Sequence, residues 1–338
     1  MKVESKAPLR VDFAGTWSNL PWFAGAEGGV VVCAAIELSV HVEFLLGDRR
    51  IRLHSEGTNE HVTLESSGHL VYDGRLDRYK AALNMLPVTG GIEILARSDA
   101  PQGADLGEPE SMDTALLAGL AACRQEAYEP AELADLGVML ESYELGETPW
   151  QQGHYAAVLG GFLDLEFGSQ GVTVRRLSVP AEAAQELSEH SVVAYAGRSH
   201  FSSQGHSRVQ ASYDSDDARI REALCTMRDI GRQTGAVIEA ADWKKLADLM
   251  DESWSNQRLL DETISTPAMV RIEEAMRSAG AWGLRSTGRG AGGCLLALCS
   301  PRSRSQVASA AVSAGGELIE VSFGCEGVAV RSHDDATQ

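Results

Sequence analysis

The first third of the chain alternates apolar and polar residues or carries short apolar runs, a pattern typical of strands. It predicts strands at 7–13, 49–54, 61–65 and 91–96, and one or two more within 29–44. Later segments place apolar residues at helical spacing. They predict helices at 77–86, 114–122, 130–145, 151–160, 217–234, 242–254, 267–279 and 305–314, with strands at 162–167, 172–177, 192–196, 294–299, 317–321 and 327–331. Early strands followed by helices favour an α+β chain of two lobes.

Composition narrows the class of protein. A net charge of −19 over 338 residues argues against nucleic acid and anionic membranes as partners, because both carry the same sign of charge. No apolar run approaches the length of a membrane span, and the first residues lack the core of a signal peptide. Six cysteines without C-x-x-C spacing indicate reduced thiols rather than zinc ligands. We therefore expect a cytoplasmic protein.

The stretch at 98–123 is the most informative part of the chain. It runs from a predicted strand through a glycine-containing loop into an Ala/Leu-rich helix. Such a junction favours anion binding, because backbone N–H groups and the positive end of the helix dipole converge there. Glu108 and Glu110 carry negative charge at the same place, so the predicted architecture and the local charge disagree.

Three motifs in order carry a family resemblance. They are A-P-L-R-V-D-F-A-G-T-W at 7–17 with E-G-G at 27–29, P-Q-G-A-D-L-G at 101–107 followed by Ser111 and Asp113, and G-R-G-A-G-G at 288–293. Together they resemble the GHMP superfamily of small-molecule kinases. Within the superfamily, four further segments are most similar to the heptose 7-phosphate kinase branch. They are Y-A-A-V-L-G-G-F at 155–162, G-R-S-H at 197–200, S-W at 253–254 and I-S-T-P at 264–267.

The resemblance covers nearly the whole chain and implies its architecture. We expect a ribosomal S5-like N-terminal lobe at 1–185, a ferredoxin-like C-terminal lobe at 186–331, a flexible tail at 332–338, and an active site in the cleft between the lobes. In family members the central loop wraps nucleotide phosphates, its serine helps to hold Mg²⁺, and an aspartate before the Y-A-A segment acts as base.

The resemblance also implies which residues bind nucleotide, although the central loop departs from the family pattern. The implied positions are Gly103, Leu106, Gly107 and Ser111 in the central loop and Gly288, Arg289, Gly290 and Gly292 in the later one. Asp105 replaces the first glycine and Pro109 the metal-facing serine. Two interpretations stay open: an internally capped helix, or acids (Glu108, Glu110 and Asp113) that hold Mg²⁺ and through it a phosphate or diphosphate.

The family base falls at Gln152 or Gly153, and neither residue can act as a carboxylate base. His154 is the nearest group able to accept a proton near neutral pH, or else it is a polar residue at a helix start. Arg10 follows the family and is expected either to line the cleft or to form a surface ion pair.

Substrate contacts are implied by the first motif and by a polar loop. Trp17 belongs to the first motif, and Asn19 stands where the family has a substrate-binding aspartate. The loop at 198–206 offers groups that could hold a phosphate, or it is simply solvated. Its candidate residues are Arg198, Ser199, His200, Ser202 and His206.

Three functions remain open. The first is an ATP- and Mg²⁺-dependent kinase for a sugar, cyclitol or sugar phosphate. The second is a non-kinase enzyme of this fold that uses a phosphorylated or diphosphate substrate, such as a phosphoribosyl-diphosphate-dependent C-glycoside synthase or a decarboxylase. The third is a catalytically silent relative. We expect a monomer or a homodimer.

Overall fold

The computed structural model describes residues 1–47, 49–65, 68–198 and 203–333, with only the backbone given at 203 and 204. In this part of the chain the α-helices are α1 (Pro21–Glu27), α2 (Asp77–Met85), α3 (Glu108–Cys123), α4 (Pro130–Met139), α5 (Gln151–Leu159), α6 (Ala181–His190), α7 (Ser203–Asp214), α8 (Ala218–Glu239), α9 (Trp243–Leu260), α10 (Pro267–Ser278) and α11 (Arg304–Ser313). A π-helical turn at Leu140–Glu144 continues α4, and a 3₁₀ turn lies at Glu262–Ile264. None of the helices in these ranges has both the length and the apolar character needed to cross a bilayer.

The strands of the same ranges are β1 (Lys2–Ala14), β2 (Gly29–Leu46), β3 (Arg50–Ser55), β4 (Glu60–Glu65), β5 (Ile92–Ser98), β6 (Phe162–Gly168), β7 (Gly171–Arg176), β8 (Ser191–Tyr195), β9 (Ala281–Ser286), β10 (Cys294–Cys299), β11 (Glu317–Ile319) and β12 (Ala329–His333). They form two sheets. The predicted α+β class is confirmed.

The larger sheet is built mainly from the first half of the chain. Its order is β12-β1-β2-β5-β3-β4, and β6 and β7 extend it from β2. Pairing is antiparallel except between β3 and β5, which run parallel. Helix α3 packs against β1 and β2. Its Ala and Leu side chains, such as Leu116, Leu117 and Leu120, are fully buried in the core of this sheet, so the helix start is held rigidly at the sheet's edge.

The smaller sheet has the order β11-β8-β10-β9, with antiparallel pairing throughout. Helices α10 and α11 pack on it around Met269, Ile272 and Val307. The chain then returns to the larger sheet. Ser332 and His333, which the sequence assigned to a flexible tail, pair with Val3 and Lys2 as the end of β12. The segment at 329–333 therefore belongs structurally with the N-terminal sheet, and the proposed lobe boundary at 185 remains a prediction.

Four elements were not predicted from the sequence: α1, α6, α7 and β9. Helix α3 also begins six residues before the predicted start, at Glu108 rather than 114. The reason is local, because a proline in the first turn has no need of an N–H partner and acidic residues favour a helix N-terminus.

Candidate functional site

Two cavities adjoin at the start of α3. They have volumes of about 450 Å³ and about 500 Å³. Both are lined by the same four residues, Arg78, Pro109, Glu110 and Arg289, which form the wall between them. We call the first the loop cavity, because Gly103 and Gly107 of the central loop line it, and the second the tryptophan cavity, because Trp22 and Trp150 line it.

The loop cavity combines apolar surface with charged groups of both signs. Its carboxylates are Glu60, Asp77, Asp105, Glu108 and Glu110. Leu76 and Tyr79 contribute the apolar part, and Arg10 and Arg198 join Arg289 around the central loop. Glu108 also lines this cavity and does not line the other one. Burial raises the pKa of the Glu108 carboxyl, and the nearby charge of Arg78 opposes that shift.

Asp105 joins the central loop to the later glycine loop. Its Oδ2 accepts a hydrogen bond from the N–H of Gly290 at 2.9 Å, and its Oδ1 lies 3.5 Å from Nε of Arg289. The backbone carbonyl of Asp105 accepts a bond from the Thr287 hydroxyl at 3.1 Å. The aspartate that replaces a family glycine therefore connects the two loops.

Gly107 lets the central loop pass close to Arg10. Its φ is 78°, and a Cβ there would lie 2.8 Å from Cγ of Arg10. The buried Arg10 guanidinium in turn lies 3.1 Å from Oδ1 of Asp12. Arg10 is thus a buried residue that lines the loop cavity rather than part of a surface ion pair.

Glu110 is buried without a bonding partner in the described part of the chain. Its side chain is 4% exposed, and Oε2 has no hydrogen-bond partner there. The carboxylate lies in the wall that both cavities share. A buried carboxylate with an unsatisfied oxygen is costly, so this position favours a ligand donor or a cation.

Arg78 stands beside Glu110 in this wall and is surrounded by three carboxylates. It forms an ion pair with Asp113, lies 3.5 Å from Oε1 of Glu141, and donates to Oε2 of Glu147 at 2.7 Å. Glu141 also accepts from Nε2 of His154 at 3.1 Å when that nitrogen carries the proton. Asp113, Glu141 and His154 are all buried, and neither Asp113 nor His154 lines a cavity.

The pKa values of Asp113, Glu141 and His154 are shifted by burial and by the charges of their neighbours. Burial alone would raise the pKa of Glu141, but His154 and Arg78 lower it to about 2. Burial, aided by the neighbouring Glu141 and opposed by Arg78, raises the pKa of Asp113 to about 7. Burial opposes a charge on His154, yet Glu141 and Asp113 raise the pKa of its imidazole. Glu141 and Asp113 thus favour the protonated form of His154.

A second buried network lies behind the cleft. Asn19 donates to Oε1 of Gln152 at 2.7 Å, and Gln152 donates to Oδ2 of Asp12 at 3.3 Å. Thr16 donates to the same oxygen at 2.9 Å and accepts from Arg285 at 3.0 Å. Gln152 and Asn19 are thus hydrogen-bonded to each other, and neither residue lines the loop cavity or the tryptophan cavity.

Aromatic rings form one side of the tryptophan cavity. The ring of Trp17 lies 5.6 Å from that of Trp150, and His206 lies 4.9 Å and 5.0 Å from these two rings. Burial, with a smaller contribution from Arg289, lowers the pKa of His206 to about 4. His206 is consequently uncharged near neutral pH.

The structure places some of the predicted site residues around the loop cavity and the others elsewhere. Around the loop cavity lie Arg10, Gly103, Gly107, Glu108, Glu110, Arg198 and Arg289. Ser111 turns away and donates to the carbonyl of Pro8 at 2.6 Å, while the carbonyl of Leu106 accepts from Arg10 N–H at 2.8 Å. Gly288 packs on Asp105, and Gly292 N–H contacts the sulfur of Met269 at 3.2 Å.

This geometry bears on two expectations. Arg198 and His206 line different cavities, so they do not form the single phosphate clamp that the loop suggested. Asp113 is buried against Arg78 and lines neither cavity, but its carboxylate lies within 4.8 Å of ligand atoms of Glu141 and His154, a group that could hold a metal ion. Its role as a magnesium ligand stays a prediction. Ser199, His200 and Ser202 lie outside the described residues.

Sequence reasoning missed Arg78, Glu141 and Tyr79 as site residues. Arg78 follows Asp77 in the first turn of an ordinary-looking helix, and no spacing pattern links it to residues 113, 141 and 147. Burial and a shared partner are tertiary properties. Asp12 was also not singled out as a site residue, although the sequence marks its position, because it lies inside the first family motif.

The residues present fit a magnesium ion in the loop cavity. Carboxylate oxygens are the ligands Mg²⁺ prefers, and Glu108 brings such oxygens into a cavity whose lining also holds four arginines. The unsatisfied oxygen of Glu110 lies in the adjoining wall. Of the three expected ligands, Glu108 therefore fits best and Glu110 second.

Comparison with known proteins agrees with this architecture. The family described as GHMP kinases C terminal matches residues 236–317. D-glycero-alpha-D-manno-heptose 7-phosphate kinase of Campylobacter jejuni is 25% identical and covers 96% of this chain and 98% of its own. Mevalonate kinase of Thermococcus sibiricus is 27% identical and covers 98% of both chains.

Solved structures give the same fold. A D-glycero-D-manno-heptose 1-phosphate kinase from Bacteroides thetaiotaomicron superposes with a TM-score of 0.82, at 21% identity, over 98% of this chain and 100% of its own. The family match over 236–317, the full-length relatives and the shared fold confirm the resemblance that the motifs indicated, to the GHMP kinase superfamily and within it to the heptose phosphate kinases.

Proposed function

We propose that this protein is a kinase that transfers the terminal phosphoryl group of a magnesium nucleotide, ATP in the first instance, to a hydroxyl group of a sugar or related polyol. The observation that supports it is the pair of adjoining cavities with one shared wall. Phosphoryl transfer needs two ligands side by side, with the reacting atoms brought together and little covalent chemistry from the protein.

The loop cavity suits the nucleotide. Tyr79 and Leu76 offer apolar contact for a base, while Arg10, Arg198 and Arg289 offer charge-assisted bonds to phosphate oxygens. Pro109 removes one N–H from the helix start, so the arginines have to supply more of the phosphate binding than the backbone does.

Mg²⁺ would be held by Glu108. When bound, the ion supplies positive charge to the phosphate oxygens. Without it, Glu108 and the phosphates would repel each other in a partly desolvated cavity. The acidic helix start is thus compatible with a nucleotide whose phosphates arrive with their metal.

The transfer itself rests on positioning. Arg78 and Arg289 line both cavities and would face the group that passes between them. Three carboxylates fix the direction of the Arg78 guanidinium. His154 does not act as base in this proposal, because it is buried against Glu141 and lines neither cavity. A loose transition state tolerates the loss of a dedicated base.

A second candidate is favoured by Glu108. A carboxylate beside three arginines would also suit a magnesium diphosphate, which is the leaving group of a phosphoribosyl diphosphate substrate. A glycoside-forming enzyme would then use the tryptophan cavity for its acceptor. The two candidates differ in which phosphorylated ligand the loop cavity binds.

Two experiments distinguish the candidates. Isothermal titration calorimetry measures the binding of Mg-ATP, ADP and Mg-phosphoribosyl diphosphate. An ADP-release assay then measures turnover with a panel of hexoses, heptoses and their phosphates. The kinase proposal expects Mg-ATP binding and ADP release above the acceptor-free rate. Binding of phosphoribosyl diphosphate without ATP would favour the second candidate. Binding of neither ligand, with no turnover, would support a catalytically silent relative.

A further inference from the structure

The tryptophan cavity carries more negative than positive charge. Its described lining holds three carboxylates, Glu110, Glu141 and Glu147, against two guanidinium groups, Arg78 and Arg289. Each arginine is also paired with an aspartate that does not line this cavity. Arg78 pairs with Asp113, and Arg289 lies 3.5 Å from Asp105.

The carboxylates differ in how far they are satisfied. Glu141 accepts from Arg78, His154 and the N–H of Trp150, and Glu147 accepts from Arg78. Glu110 alone among these three has no bonding partner in the described part of the chain, although it is 96% buried. Glu110 is therefore the carboxylate of this lining that can still accept a hydrogen bond.

Among the described residues, the cavity offers a phosphate two guanidinium groups, and both are already paired with carboxylates. His206 is the other titratable group in the lining, and its neighbours Trp17 and Trp150 enclose it in an apolar setting. It is uncharged near neutral pH. Arg198, the further arginine expected to hold an acceptor phosphate, lines the loop cavity instead. An anion would thus meet Glu110 across a desolvated gap, whereas a hydroxyl or ammonium donor would satisfy it.

We propose that the tryptophan cavity selects a polyol without phosphate, uncharged or amine-bearing, and that Glu110 is the specificity-determining residue that accepts its hydrogen bond. Trp22 and Trp150 would pack on the C–H faces of such a ligand. The inference deepens the proposed kinase function and rests on it for the identity of the cavity as acceptor site. It sets this chain apart from a kinase for a sugar that already carries phosphate.

During transfer the acceptor oxygen would form a bond to the terminal phosphorus, and the bond from that phosphorus to the bridging oxygen of the nucleotide would break, releasing ADP. The acceptor hydroxyl releases its proton to water as the new bond forms, and Glu110 holds that hydroxyl in place by its hydrogen bond. The nucleotide is the co-reactant and nothing else is consumed.

Binding of matched ligands without metal or nucleotide tests the inference apart from catalysis. Calorimetry in EDTA compares the neutral, 2-amino and 6-phosphate forms of mannose, glucose and galactose. For wild type we expect at least one neutral or amino sugar to bind roughly tenfold tighter than its phosphate, a difference of about 1.4 kcal/mol. Equal or tighter binding of the phosphates, or no binding of any neutral or amino sugar at millimolar concentration, overturns the inference.

Two variants at positions 108 and 110 assign the effect to one side chain. Glu110→Gln should weaken binding of the amino sugar by roughly tenfold and narrow the discrimination against phosphate. Glu108→Gln removes the same charge from the loop cavity and should leave sugar binding without metal unchanged. Thermal unfolding of both variants checks that they fold, and equal effects of the two changes would also overturn the assignment to Glu110.

The result of this binding test is independent of the result that tests the kinase proposal. If the sugars bind with the expected charge preference but Mg-ATP neither binds nor yields ADP, the proposed function fails while the cavity assignment holds. If ATP is turned over with a sugar phosphate as the preferred acceptor, the function stands and the inference about Glu110 fails.

Discussion

Glu110 occupies the space beside Gly153. A Cβ at Gly153 would lie 2.6 Å from Cγ of Glu110, closer than nonbonded carbons approach. The sequence expectation placed the family's base at 152 or 153. The structure brings a carboxylate to that place from a different element, the first turn of α3, and the absent side chain at 153 makes room for it.

Gly153→Ala tests this packing. The added methyl collides with a buried side chain, and overpacking of this kind costs about 1–3 kcal/mol. The better helix propensity of alanine offsets up to about 1 kcal/mol, so we expect a net loss of roughly 1 kcal/mol in the free energy of unfolding. Chemical denaturation measures it.

A double-mutant cycle and a control complete that test. A Cβ at Gly153 would also lie 2.8 Å from Cβ of Glu110, so the partner change has to be Glu110→Gly. With Glu110→Gly present, the clash is gone and Gly153→Ala should stabilise, which gives a coupling energy of about 1–3 kcal/mol. Gly25→Ala is the matched control, because Gly25 lies in α1 with open space around its Cβ position. Additive effects of the changes at 110 and 153 would show that the two side chains do not share the space.

The pH dependence of stability should report the Glu141 cluster. The pKa of Glu141 is about 2 in the folded protein against 4.5 as its ordinary value, so the unfolded chain binds more protons between these pH values. Stability from this residue is therefore full above pH 4.5 and is lost as pH falls toward 2. A shift of this size corresponds to at most about 3 kcal/mol.

The comparison is between wild type and Glu141→Gln, by denaturant unfolding from pH 6 down to the acid limit. The variant should be less stable at pH 6 and should show a shallower loss of the free energy of unfolding below pH 4.5. Parallel curves for the two proteins would mean that Glu141 is not held ionised by His154 and Arg78.

Asp105 should stabilise the contact between the two glycine loops. Its φ of 59° is left-handed, a conformation that asparagine tolerates and alanine resists. Asp105→Ala loses the bond to Gly290 N–H as well, and we expect a loss of about 2–3 kcal/mol in the free energy of unfolding. Asp105→Asn keeps an acceptor and the backbone preference, so its loss should be under about 1 kcal/mol. Similar losses for both variants would contradict the bridging role.

The strands and most helices were predictable because their apolar pattern is local. Strand β10 has the predicted bounds, 294–299, and is buried along its whole length. Helix α7 was missed because its sequence, S-Q-G-H-S-R-V-Q-A-S-Y-D, carries few apolar residues. Helix α1 was missed because it is short and begins at Pro21 directly after a loop.

The site was predictable only where family motifs mark it. The central loop, Arg10 and Arg289 were found in this way, and the structure gathers them around one cavity. The ion pairs of Arg78 join residues 35 to 69 positions apart in sequence. No periodicity records such contacts. The separation of Arg198 from His206 was likewise invisible, because both belong to one short polar segment of the sequence.

Arg198 should contribute to nucleotide binding and to nothing in the tryptophan cavity. It is exposed, lines the loop cavity and carries its charge near Glu108. Arg198→Ala should weaken the Kd of Mg-ATP by roughly tenfold, about 1.4 kcal/mol, and this penalty should shrink at high salt because the group is exposed. Calorimetry at two salt concentrations measures both effects. Arg219→Ala, which removes an exposed arginine that lines neither cavity, should leave the Kd unchanged. An unaltered Kd for Arg198→Ala would remove this arginine from the nucleotide site.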